Sequence, residues 1–141
     1  MKLFFTVDTN PFGKQRPRHN RYTGITYTPS ETKEREAEIA WAYKSQCRGA
    51  RFKSDEYIKL VVVAFFAIPK SYTAKDRQLI ADGKKHPTVK PDWDNIGKLV
   101  ADALNGIAYD DDKSIIDARV IKVYADKPRI DVYLQSVDEK S

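Results

Sequence analysis

The sequence contains very little cysteine: Cys47 is the only one in 141 residues. A single thiol cannot form an internal disulfide, and it cannot supply the cysteine cluster of a structural zinc site. The sequence gives Cys47 no functional role. The fold must therefore be held together by an ordinary hydrophobic core.

Long apolar runs are also absent. The chain begins like a signal peptide, but Asp8 and the Asn10-Pro11 pair end the first apolar stretch too early for one. No later segment approaches the roughly 18 apolar residues that a membrane-spanning helix requires. We therefore expect a soluble, cytoplasmic protein with no membrane partner.

The chain has no internal repeat, low-complexity tract or linker, so residues 1–141 are expected to form a single domain. Its 41% hydrophobic content is enough for one compact core. Lys and Arg number 25 against 20 Asp and Glu, which gives a net charge of +5. This excess favours a polyanionic partner such as nucleic acid, but it does not identify one.

Hydrophobic periodicity and capping signals predict alternating strands and helices. The run from Lys59 to Ile68 is the most apolar, which favours a central strand covered on both faces. Strands are predicted at 3–7, 26–27, 59–68, 115–124 and 129–135, and helices from about 29 to 47, from 73 to 82, and from 92 or 94 to 105. The predicted class is α+β, a mixed sheet with two to three packed helices.

Each of the predicted helices carries specific signals. The helix from 73 to 82 has a cap formed by Thr73 and Asp76, and Gly83 is its C-terminal residue. In the first, Ala37, Ala40, Trp41 and Lys44 share one face, and the alkyl part of Lys44 extends it. In the last, apolar residues recur with the i, i+3, i+4 spacing of a half-buried helix, and Gly106 provides the stop.

Acidic residues cluster around this last helix. The segment 90–98 reads KPDWDNIGK, and Asp110, Asp111 and Asp112 follow shortly after. Clustered carboxylates repel one another unless a cation or an active-site role compensates. In an extended segment Asp92 and Asp94 would point to one side, with Trp93 on the other. Because Mg²⁺ favours one or two protein carboxylates together with water and phosphate, the pattern suggests metal-assisted phosphodiester chemistry.

The three later acids can reach the first pair. A helix from Asp94 to Asn105 is about 16 Å long, and the chain from Asn105 to Asp112 can span up to roughly 23 Å. The chain can therefore double back and place Asp110, Asp111 or Asp112 beside Asp94.

Each of these residues also has a structural alternative. Asp92 or Asp94 could cap the helix, and the three later acids could form a solvated turn. Lys98 lies four residues from both Asp94 and Asp102, so it could make an ordinary surface ion pair or hold a phosphate. Residue spacing leaves these alternatives open.

Two basic segments are candidates for DNA binding. The segment 10–22 contains no acid, and its charged and aromatic side chains could follow a phosphate backbone and stack on bases. A second basic segment leads directly into Asp92. The candidates are Lys14, Arg16 and Arg18 with Phe12 and Tyr22 in the first segment, and Lys84, Lys85 and Lys90 in the second. His86, also in the second segment, could be a ligand or a base, but a lone histidine in a lysine-rich loop is more often merely exposed. A solvated basic loop is the alternative for the first segment.

Three blocks resemble the signature of RusA-type Holliday junction resolvases, small nucleases often carried by phages and prophages. They are KPDWDNIGK at 90–98, DALNG at 102–106 and DDD at 110–112, followed by a strand from Ile115. The resemblance is strong from about Lys90 to Val120 and weaker over GKQRPR at 13–18.

The resemblance implies a homodimer that binds four-way DNA junctions and nicks two opposing strands with Mg²⁺, for which Mn²⁺ could substitute, in DNA recombination and repair. By position, Asp92, Asp94 and Asp112 match the family's catalytic, metal-binding acids, and Lys98 matches its essential lysine. Asp111 is the alternative to Asp112. Two other functions stay open: a noncatalytic nucleic-acid-binding module, and a metal-dependent nuclease that prefers flaps or single strands.

Overall fold

A computed structural model of the chain describes residues 1–14, 18–19, 26–27 and 30–137, with the two short segments described by their backbone alone. The strands are β1 (Lys2–Val7), β2 (Arg18–His19), β3 (Thr26–Tyr27), β4 (Tyr57–Ala67), β5 (Ile115–Ala125) and β6 (Arg129–Val137). The helices are α1 (Ser30–Cys47), α2 (Ala74–Ala81) and α3 (Trp93–Ala103), with a 3₁₀ turn at Asp112–Ser114. The predicted α+β class is confirmed.

The main sheet is mixed, as predicted, and its strands lie in the order β1-β6-β4-β5. The β4–β5 pair is parallel, whereas β6 lies antiparallel between β1 and β4. A parallel pair needs a long crossover, which the segment containing α2 and α3 provides. Although only residues 126–128 separate β5 from β6, these strands do not form a hairpin, because β4 lies between them. The strands β2 and β3 form a separate two-stranded sheet.

The helices α1 and α3 pack on the same face of the main sheet and against each other. Alternate residues of β4, including Leu60 and Val62, are therefore buried beneath them. On the opposite face Val61, Val63 and Phe65 are only partly buried. The prediction that this strand is covered on both faces is wrong for the described part of the chain.

The buried side of α1 also differs from the predicted one. Ile39 and Tyr43, one turn apart, are buried, and the Tyr43 ring meets Phe5 edge-on with ring centroids 5.5 Å apart. Trp41 is 71% exposed. Alanines contribute little to the choice of a helix face, so the larger Ile39 and Tyr43 side chains determine it.

The other two helices follow their sequence signals. Thr73 and Asp76 form the predicted capping box at the start of α2. In α3, the side chains of Ile96, Leu99 and Val100 are fully buried, as the apolar spacing predicts. Across the ranges that the structure describes, no helix has the length and hydropathy of a membrane span.

After α3 the chain turns back along the helix. Gly106 has a positive φ of 74°, and its N–H donates to the Tyr109 carbonyl at 2.8 Å. The buried Tyr109 hydroxyl donates to the Ala101 carbonyl at 2.7 Å. Burial raises the pKa of Tyr109 above its usual value, so this donor stays protonated. The turn is therefore anchored to α3 and sends residues 110–112 back toward the start of the helix.

The N-terminal loop that contains Gly13 and Lys14 packs against the start of α3. A Cβ atom at Gly13 would lie 2.8 Å from the Cβ atoms of both Pro91 and Asn95. The Lys14 N–H donates to the Asn95 carbonyl at 2.8 Å. Phe12 packs against the core, with the Arg35 guanidinium 5.5 Å from its ring centroid.

Gly13→Ala should therefore disturb this contact. Because the added methyl meets two atoms close to the backbone, relief requires the loop to move, and we expect a loss of about 1–3 kcal/mol in the free energy of unfolding, measured with urea. Asn10→Ala, in the same loop but exposed, is the control and should stay within about 0.5 kcal/mol of wild type. Equal midpoints for the two variants would show that the loop is not docked in this way.

Candidate active site

A cavity of about 270 Å³ lies between α3, the 3₁₀ turn and β5. Three charged residues, Asp94, Lys98 and Asp112, line it. Its apolar wall includes Leu60, Ala101, Ile115 and Val120. The turn after α3 thus brings Asp112 to the same cavity as Asp94, as the chain lengths allowed.

The three consecutive acids have three different surroundings. Asp110 accepts a hydrogen bond from the Arg51 guanidinium at 2.5 Å. Asp111 accepts from the Lys113 N–H at 3.1 Å and caps the 3₁₀ turn. Only Asp112 of the three lines the cavity. The geometry therefore favours Asp112 over Asp111 as the cavity carboxylate.

The first acidic pair is arranged differently from the prediction. Because α3 begins at Trp93, the alternation of an extended segment does not continue past Asp92, and Trp93 lines the cavity together with Asp94. Asp92 occupies the N-cap position, yet its side chain makes no capping hydrogen bond. Asp92 is exposed and directly precedes the cavity residues Trp93 and Asp94 in the sequence, but it does not line the cavity itself.

Lys98 makes ion pairs across the mouth of this cavity. Its ammonium is 3.2 Å from Asp102 Oδ1 and 3.3 Å from Asp112 Oδ2. Hydrogen bonding to Asp102, followed by the charge of Asp102 and the bond to Asp112, raises the pKa of Lys98. The side chain is 59% exposed, and exposed pairs contribute at most about 1 kcal/mol. Lys98 therefore stays charged, and it can change partners at little cost.

The predicted DNA-binding residues fall into three groups. Arg16 and Tyr22 lie outside the described residues, as does the side chain of Arg18. Lys84 and Lys90 are exposed, whereas Lys85 lies 3.8 Å from Asp76 and 5.0 Å from the Tyr72 ring centroid. Lys14 lies beside α3, in ion pairs with Asp102 and Glu36. Phe12 is partly buried against the core.

Sequence reasoning missed Lys122 on β5. Its ammonium donates to the carbonyls of Val89 and Pro91 at 2.6 and 3.0 Å. These contacts hold the segment that leads into Asp92, in which the Lys90–Pro91 peptide bond is cis. The contacts join residues more than 30 positions apart, and no local pattern predicts them.

The donor set can be compared with what Mg²⁺ requires. Within the part of the chain that the structure describes, no three Asp, Glu, His or Cys side chains are grouped as a closed metal site would need. Two carboxylates, from Asp94 and Asp112, share the cavity. Mg²⁺ commonly takes one or two protein carboxylates and fills its other positions with water and phosphate. The cavity therefore fits this ion with an open coordination sphere.

The chain was compared with known proteins. Residues 8–135, nearly the whole chain, match the family described as Endodeoxyribonuclease RusA. The chain is also similar to a protein of Bacillus subtilis (strain 168) named Uncharacterized protein YqaN, with 32% identity over 137 residues, 94% of this chain and 95% of that protein. The matched range contains all three charged cavity residues and the turn that brings them together. The chain therefore belongs to the RusA endodeoxyribonuclease family.

Proposed function

We propose that the protein is a Mg²⁺-dependent endodeoxyribonuclease that resolves four-way DNA junctions by paired nicks, in DNA recombination and repair. The observation that carries this proposal is the convergence of Asp94, Lys98 and Asp112 on one cavity in a member of this family. Carboxylates that would hold a metal ion beside a lysine suit phosphodiester cleavage, because the metal ion and the lysine both carry positive charge and the substrate and the developing charge are anionic.

Asp94 and Asp112 would hold the ion, with Asp92 as the nearest further carboxylate along the chain. When bound, Mg²⁺ supplies a water of lowered pKa and stabilises charge on the departing oxygen. Mn²⁺ should substitute, since it also accepts carboxylate and water ligands.

Lys98 would orient the scissile phosphate or the attacking water. Its ammonium already lies 3.3 Å from Asp112, so a phosphate entering the cavity can replace Asp112 as its partner over a short distance. Fixing the phosphate in this way lowers the barrier by supplying the correct orientation.

Basic residues would bring the polyanion to this acidic cavity. Lys84 and Lys90 are exposed on the segment that leads into α3, and Arg16 and Arg18 follow the docked N-terminal loop in sequence. Contacts of this kind fix the register of DNA without reading its sequence. The net charge of +5 favours the encounter.

A symmetric homodimer would provide the two equivalent cavities that paired nicks in a two-fold junction require. Two surfaces of the main sheet are candidates for the contact with a second copy of the chain. The strand β5 lies at the edge of the sheet, and Val61, Val63 and Phe65 are only partly covered on its open face. Both features favour protein association.

The substrate class is tested by incubating the protein with labelled four-way junction, flap, duplex and single-stranded DNA, in Mg²⁺ and in EDTA. We expect paired nicks in the junction with Mg²⁺ or Mn²⁺ and no cleavage in EDTA. Preferred cleavage of flaps or single strands would replace junction resolution with the alternative nuclease function. Binding without cleavage in any metal would indicate a noncatalytic module.

The cavity carboxylates are tested by Asp94→Asn and Asp112→Asn. Each should lower the single-turnover cleavage rate by at least about 100-fold, while junction affinity holds or rises because phosphate meets less negative charge. Asp111→Asn is the matched control, since Asn caps a turn as well as Asp does. A greater loss in Asp111→Asn than in Asp112→Asn would reverse the assignment.

The basic approach is tested by Lys90→Ala. If Lys90 contacts one phosphate, the slope of log affinity against log salt should fall by about one unit, with affinity reduced on every DNA sequence. Lys2 lies on β1, at the edge of the main sheet opposite β5. Lys2→Ala is therefore the control and should leave the slope unchanged. Equal slopes for Lys90→Ala and wild type would remove Lys90 from the interface.

A further inference from the structure

Five side chains of alternating charge form a continuous line from α1 to the cavity. In order they are Glu36, Lys14, Asp102, Lys98 and Asp112. The distances between successive charged groups are 3.4, 3.0, 3.2 and 3.3 Å. Only the last two residues line the cavity. Glu36, Lys14 and Asp102 do not line the cavity, so they would act on a substrate in the cavity only through Lys98 or Asp112.

Asp102 lies at the centre of this line. One of its carboxylate oxygens faces Lys98 and the other faces Lys14. Its side chain is only 16% exposed, against 59% for Lys98. Both oxygens of a largely buried carboxylate thus have cationic partners, which gives them fixed directions.

Lys14 is held firmly at this position. Burial alone would lower its pKa, but the hydrogen bond to Asp102 and the charges of Asp102 and Glu36 outweigh burial and raise the pKa above its usual value. The backbone N–H of Lys14 also donates to the Asn95 carbonyl at 2.8 Å. The loop is therefore attached to α3 at two points, Asn95 and Asp102.

We propose that Asp102 is a positioning residue that holds Lys98 toward Asp112 and couples its position to the docked N-terminal loop. This inference rests on the proposed function. In this arrangement the Lys14 ammonium is engaged by two carboxylates, so Lys14 serves as an anchor for the basic residues that follow it. Asp102 acts through Lys98 and touches neither DNA nor ion.

The alternative partner of Lys98 explains why positioning matters. Lys98 follows Asp94 by four residues on α3, a spacing at which opposite charges attract each other. Without Asp102, the long side chain could turn toward Asp94 and neutralise a carboxylate that the proposed chemistry needs free. Asp102, one turn further along the helix, draws the ammonium in the other direction.

Asp102→Asn tests the proposal in single-turnover cleavage of a four-way junction. We expect the rate to fall about fivefold, the most that loss of one exposed ion pair can shift the position of Lys98, with junction affinity changed less than about twofold. Glu38→Gln, which removes an ion pair to Arg35 on α1, is the matched control and should cleave like wild type. Asp102→Glu keeps the charge and should recover most of the rate. If Asp102→Asn does not fold, Asp102→Ser removes the charge in its place.

A double-mutant cycle separates positioning from general destabilisation. In a Lys98→Ala background, Asp102→Asn should slow cleavage no further, because its effect passes through Lys98. A full additional loss in that background would overturn the proposal.

The ¹⁵N signal of the Lys98 ammonium gives a readout that does not depend on activity. In lysine-labelled protein, Asp102→Asn should shift or broaden this signal, and Glu38→Gln should not. An unchanged signal would overturn the proposal whatever the enzyme does. If the wild-type protein cleaves no DNA, the proposed function fails, and the ammonium signal still tests the pairing of Lys98 with Asp102. If the wild-type protein and Asp102→Asn cleave at equal rates, the positioning role of Asp102 fails and the proposed function stands.

Discussion

Repulsion among carboxylates is the constraint on which this site depends. Asp94 and Asp102 lie two turns apart on the polar side of α3, and the chain returns to add Asp112 beside them. Two lysines offset the repulsion, one from the helix and one from the N-terminal loop. The hydrophobic core beneath α3 holds this acidic stripe in place, because Ile96, Leu99 and Val100 are completely buried.

The packing of Tyr109 against α3 sets the direction in which the chain returns after that helix. Tyr109 is buried and hydrogen-bonded to the backbone of α3, so the residues that follow it leave the turn in a fixed direction. Asp110 forms an ion pair with Arg51, and Asp111 caps the 3₁₀ turn. Asp110 and Asp111 thus have other partners, and Asp112 is the one of the three consecutive acids that lines the cavity.

Local patterns predicted α3, the Thr73 and Asp76 capping box and the position of every described strand except β2, because each depends on residues close in sequence. They also predicted which segments could meet at an acidic site. They did not predict the buried face of α1, the open face of β4 or the contact of Gly13 with Pro91 and Asn95. Those features depend on which elements pack together, and neither helix periodicity nor residue spacing contains that information.

The members of the charged line differ in exposure, and Lys98 is much the most exposed of them. Asp102 is 16% exposed, Asp112 25% and Lys98 59%. A partly buried carboxylate interacts strongly with its cations and moves little, whereas an exposed ammonium exchanges partners at small cost. Asp102, the least exposed member of the line, can therefore fix geometry while Lys98, the most exposed member, stays available to a phosphate. A nuclease site needs both properties, and here a single carboxylate, Asp102, joins them.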